Sequence, residues 1–136
     1  MVFLHCINSL LVQNTRVEVV QSDLDGSNVK VLLEGPDEIN WPQDIAIDTE
    51  NEYLYVADTD FGKGTILRYD IATGNVKEIL TSEDGLVKPK EIFIDKLNEK
   101  IYWTDGDVFR ADLDGRNPEQ IFEGYYALAL TMKNNI

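Results

Sequence analysis

Pro42-Gln43-Asp44-Ile45-Ala46-Ile47-Asp48 returns as Pro89-Lys90-Glu91-Ile92-Phe93-Ile94-Asp95, every position displaced by 47 residues. The displacement holds further along. Asn51-Glu52-Tyr53-Leu54-Tyr55-Val56-Ala57-Asp58 faces Asn98-Glu99-Lys100-Ile101-Tyr102-Trp103-Thr104-Asp105 at the same offset. Turn signals follow each unit: Asp23-Leu24-Asp25-Gly26, then Asp70-Ile71-Ala72-Thr73-Gly74, then Asp112-Leu113-Asp114-Gly115, spaced by 47 and then 42 residues. The shortening falls after Asp105, where Gly106 alone answers Thr59-Asp60-Phe61-Gly62-Lys63-Gly64. Self-similarity at a period of 40-odd residues is the mark of a repeat architecture.

Each unit reads as four short strands. In the second unit they are residues 44–48, 53–57, 66–69 and 76–80. The first alternates apolar and polar residues; the second is aromatic and β-branched, as suits a strand covered on both faces. Asn51-Glu52 and Ala72-Thr73-Gly74-Asn75 supply turn chemistry between strands. No stretch keeps a 3.6-residue apolar period, so helices are few or absent. The expected fold is all-β: a β-propeller of four-stranded antiparallel blades, with about three blades present. Blade 1 covers about residues 2–34, blade 2 about 42–81 and blade 3 about 89–123, with an extra inner strand at about 126–131. In this register the apolar start, residues 7–11, is a worn second strand, with Leu11 standing where Asp58 and Asp105 stand.

Ile101-Tyr102-Trp103-Thr104-Asp105, followed by Val108-Phe109-Arg110-Ala111-Asp112-Leu113-Asp114-Gly115-Arg116-Asn117, resembles the YWTD repeat of the low-density-lipoprotein receptor family, its class B repeat. Ser22-Asp23-Leu24-Asp25-Gly26-Ser27-Asn28 resembles the second half of that repeat. Unit two keeps Tyr55 and Asp58 but has Val56 and Ala57 for Trp and Thr, and is similar as well to the NHL-type propeller repeat. The resemblance covers residues 7–131. It implies a non-enzymatic scaffold that binds a protein ligand, receptor-like, in an extracellular or cell-surface setting. It also implies that Tyr55, Asp58, Tyr102, Trp103, Thr104 and Asp105 hold blades together. Large rings suit burial between sheets, and Asp58 and Asp105 should accept backbone N–H bonds in the loop that follows each.

Charge excludes one class of partner. Twelve Lys and Arg stand against 25 Asp and Glu, a net charge of −13 that repels phosphate backbones. The single cysteine, Cys6, allows no internal disulfide, and the single histidine, His5, has no orienting partner nearby for nucleophilic chemistry. No segment has the roughly 18 apolar residues of a membrane span, and the N-terminal stretch lacks the basic region of a signal peptide. No cofactor is expected. A rival reading is a propeller-type metal-dependent hydrolase, with Asp44 and Glu91 as oxygen ligands at the start of the innermost strands, although Ala127 takes the equivalent place next along the chain. A third is a vestigial or truncated structural repeat protein. The Asp-x-Asp-Gly segments lack the downstream Glu of a calcium loop and read as hairpin turns. For ligand binding, Trp41, in the connection before the innermost strand where propellers commonly present binding loops, and Phe61 are the aromatic candidates, with burial between blades as the alternative reading of both.

Three blades cannot surround an axis, since propellers use about four to eight. Two arrangements satisfy the repeat: a homodimer closing a six-bladed ring by lending final strands, or a piece of a longer propeller or truncated gene product, which is the preferred expectation.

Overall fold

In the computed structural model, which describes the backbone of residues 2–11 and 14–127 and the side chains of residues 17–124, the chain is all-β with one short 3-10 turn, Ser82–Asp84. β1 (Val2–Leu11), β2 (Asn14–Asp23) and β3 (Lys30–Glu34) form an antiparallel sheet in that order. β4 (Asp44–Asp48), β5 (Tyr53–Asp60), β6 (Lys63–Asp70) and β7 (Val76–Leu80) form a four-stranded antiparallel meander. β8 (Ile92–Asp95), β9 (Lys100–Asp112) and β10 (Glu119–Ala127) form the third sheet, with β9 in the middle.

β9 is a hairpin in itself. A straight strand of 13 residues would part its ends by about 40 Å. Instead Lys100 Nζ lies 2.5 Å from Asp112 Oδ1. The Trp103 and Phe109 rings stack with centroids 5.6 Å apart. Leu113 N–H donates to the Glu99 carbonyl at 3.1 Å, as Ile71 N–H does to Glu52 at 2.9 Å across the β5–β6 pair. Gly106, at φ 76°, supplies the left-handed residue that lets so short a turn close. The third sheet therefore repeats the four-segment meander of the second, and the five residues missing after Asp105 come out of this turn alone.

Strand periodicity explains the stacking. Successive side chains on a strand point to opposite faces. On β5, Leu54 and Val56 join a buried cluster with Leu67 of β6 and with Val19, Leu33 and Ile39 from the first sheet and its linker. Tyr55 and Ala57 join the opposite cluster with Ile79, Ile101, Trp103 and Leu113. The middle sheet is thus covered on both faces, and its neighbours pack face to face against it. β7 lies tightly against the turn after β9: a Cβ at Gly115, itself at φ 89°, would run into the Ile79 carbonyl.

The Asp-rich turns are self-contained. Asp23 accepts from Asn28 Nδ2 at 2.6 Å, and Asp112 accepts from Asn117 Nδ2 at 2.8 Å. Asp48 holds Asn51 through its backbone N–H (3.2 Å) and Nδ2 (2.8 Å), and Asp95 repeats the bonds with Asn98. Lys96 Nζ reaches across to Asp48 at 3.2 Å and ties the second and third sheets. The inner strand expected at 126–131 begins within β10, which runs to Ala127; its remainder lies outside the described residues. Among the described residues no helix is long and apolar enough to cross a membrane.

Candidate functional site: a clamped groove between the sheets

The two motif aspartates sit at the same point of successive sheets. Asp58 accepts from Asn40 N–H at 2.9 Å and Trp41 N–H at 2.7 Å. Asp105, 47 residues later, accepts from Val87 N–H at 2.7 Å and Lys88 N–H at 2.9 Å. These donors belong to the linker that precedes the inner strand, 17 and 18 residues upstream, and not to the following loop where sequence reasoning put them. The reason is the hairpin. After Asp58, Thr59 pairs with Gly64 and Asp60 with Lys63, so the tip closes on itself. The linker has no strand partner at 40–41, and its N–H groups take the carboxylate instead. Burial pushes the Asp58 carboxyl above its ordinary value, opposed by the Asn40, Trp41 and Thr59 backbone bonds.

Between the two clamped linkers and the β5–β6 tip lies a groove of about 580 Å³. Asn40 and Trp41 form one wall, Val87 and Lys88 the other, and residues 59–62 the rim. Trp41 is fixed at both its backbone groups, since its carbonyl also accepts from Thr59 N–H at 3.3 Å. Its side chain nevertheless remains 55% exposed. Phe61 is fully exposed and held at φ 43°, a conformation uncommon for an aromatic residue, next to Gly62 at φ 83°. The structure therefore brings Trp41 and Phe61 to one groove. Val87, over half exposed, and Thr59, Asp60, Asn40 and Lys88 were not singled out from sequence. Only the 47-residue offset from Asn40 to Val87 carried a signal for them.

The other motif residues lie in the sheet interior or at its faces. Trp103 is 1% exposed. Thr104 is fully buried, and its Oγ1 accepts from Glu91 N–H at 3.2 Å, a bond that Ala57 in the second sheet lacks the oxygen to make. The Arg68 guanidinium stands 4.5 Å over the Tyr53 ring.

Asp44, the first residue of β4, and Glu91, the residue just before β8, are the weak metal candidates, and they lie near one another where the second and third sheets meet. Asp44 Oδ2 accepts from Ile92 N–H at 2.9 Å, joining the second sheet to the third, while Oδ1 accepts from Ile45 N–H at 2.9 Å. Burial raises its carboxyl above the ordinary value, with Glu91 adding to the rise. Its geometry is that of an inter-sheet tie. Among the described residues no group of three or more His, Cys, Asp or Glu stands together to hold a metal ion.

No protein-family model matches the chain, and no curated protein matches it. Its structure is similar to a chain in the crystal structure of a nidogen/laminin complex that contains a YWTD β-propeller. The TM-score is 0.73 at 20% identity, over 90% of this chain and 45% of that one. The chain thus spans less than half the length of the structure it matches. The similarity extends to the fold: antiparallel sheets stacked as propeller blades are stacked.

Proposed function

We propose that the chain is a non-enzymatic, protein-binding module built of YWTD-type propeller blades, working in an extracellular setting, and that it engages its partner through the groove of Trp41 and Phe61. The observation that carries this is an aromatic side chain half in solvent on a backbone held rigid by Asp58 and Thr59. Binding energy concentrates in a few aromatic anchors, and an anchor already fixed loses little freedom on association. The similar structure supports the reading, being an extracellular matrix protein domain in a protein complex. The test is a screen of secreted and cell-surface proteins against the chain and its Trp41→Ser/Phe61→Ser variant. At least one partner should bind the parent and lose about 30-fold or more in affinity to the variant. Partners that bind both equally would refute the groove as the binding site.

A further inference from the structure

The groove does not end at Trp41. A trough of about 280 Å³ adjoins it, sharing Asn40 and Asp60. Its lining carries four exposed carboxylates, Asp37, Glu38, Asp60 and Glu78, against one cation, Lys63. The two depressions thus adjoin at Asn40 and Asp60, one lined by Trp41, Phe61 and Val87, the other acidic and bordered by β6 and β7.

From this juxtaposition we infer that the partner presents an extended peptide segment in which an aliphatic or aromatic residue is flanked by Lys or Arg. The apolar side chain fills the groove between Trp41 and Val87. The flanking cations lie over Asp60 and the carboxylates of the trough. The inference rests on the proposed function, since it names the partner of the same groove. Charge complementarity selects this occupant. A segment flanked by Asp or Glu would bring like charge to four carboxylates in a chain of net charge −13, whereas a basic one is drawn in and oriented by the same field.

The experiment uses the full chain and three peptides of about a dozen residues. They share one Ile-Phe pair and differ only in flanking residues: Arg, Ser or Glu. Binding is read from Trp fluorescence and calorimetry at low and physiological salt. The Arg peptide should bind about 10-fold or more tighter than the Ser peptide at low salt, narrowing as salt screens the pairs, and the Glu peptide weakest. Asp60→Asn with Glu78→Gln should cost the Arg peptide about 5-fold and leave the Ser peptide unchanged. Trp41→Ser should weaken both. Equal binding of Arg and Ser peptides, or an Arg peptide indifferent to the carboxylate variant, overturns the inference while leaving the groove as a binding site. If none of the three binds at about millimolar concentration, both fall together. Asp60, Glu78 and Trp41 are all exposed, so unchanged melting curves separate lost binding from lost folding.

Discussion

Replacing Asp58 with Ala removes the carboxylate from the linker it clamps. Two backbone N–H groups, of Asn40 and Trp41, lose a charged acceptor at 2.9 and 2.7 Å. Hydrogen bonds to charged groups contribute about 1.5–3 kcal/mol each, a gross loss of about 3–6 kcal/mol. Two terms offset it. Asn40 and Trp41 are exposed residues, so water recovers part of the bonding. The carboxylate itself, 4% exposed and with its pKa raised first by burial, no longer has to be desolvated. The net loss should be about 2–4 kcal/mol. For a chain of this length that is a fall of roughly 6–16 °C in Tm, at about 3–4 °C per kcal/mol. Asp58→Asn, which keeps one acceptor oxygen without the charge, should fall between. Urea unfolding followed by circular dichroism gives the energy, and amide hydrogen exchange gives the location. Protection of the Asn40 and Trp41 amides should drop in Asp58→Ala more than that of residues in β7. A variant within about 0.5 kcal/mol of the parent, or one with both amides still protected, would refute the clamp.

Trp103→Ala, removing a buried ring stacked on Phe109, should cost about 3–5 kcal/mol in the same urea assay. Gly115→Ala should lose about 2–4 kcal/mol, from a strained positive φ and from collision with the Ile79 backbone; Gly26→Ala, at φ 82° with open space around it, should lose only the conformational part, about 1 kcal/mol. Asp48 gives a pH dependence. Burial pushes its carboxyl up, but the Asn51 bonds and Lys96 outweigh this and leave it below its ordinary value of 3.8. Its contribution is therefore present above that value and lost as pH falls through the lower folded one. Asp48→Asn should be less stable than the parent at neutral pH and show a shallower loss of stability below about pH 4, measured by melting curves across pH.

Much of the fold was legible because the repeat and the strand period agree. Residues 44–48 and 76–80 have the bounds that their alternation and flanking turns gave. Gly106 marked the place where the third unit is shorter, and β9 bends there. Tyr55 and Leu54 pointing to opposite clusters follows from the period of two alone. Less of the site could be read. Trp41 and Phe61 stood out as large rings in polar loops, but which surfaces meet them depends on how successive sheets pack. Local chemistry does not encode that packing. The direction of the Asp58 and Asp105 bonds was misread for a related reason: a carboxylate at a strand end can serve either flanking loop, and only the closed pairing of Thr59 with Gly64 leaves the upstream linker as the needier partner. Asp44 illustrates the same limit, since its donor, Ile92, lies 48 residues away in another sheet.

The stacking of equivalent sheets is tested most directly by nuclear Overhauser contacts to β5. Leu54 and Val56 methyl groups should show contacts to Val19 and Leu33 and none to Ile101 or Trp103, while Tyr55 and Ala57 show contacts to Ile101 and Trp103 and none to Val19. Contacts from adjacent β5 residues to a single common cluster, or a Trp103 indole surrounded by residues of its own sheet alone, would contradict the arrangement.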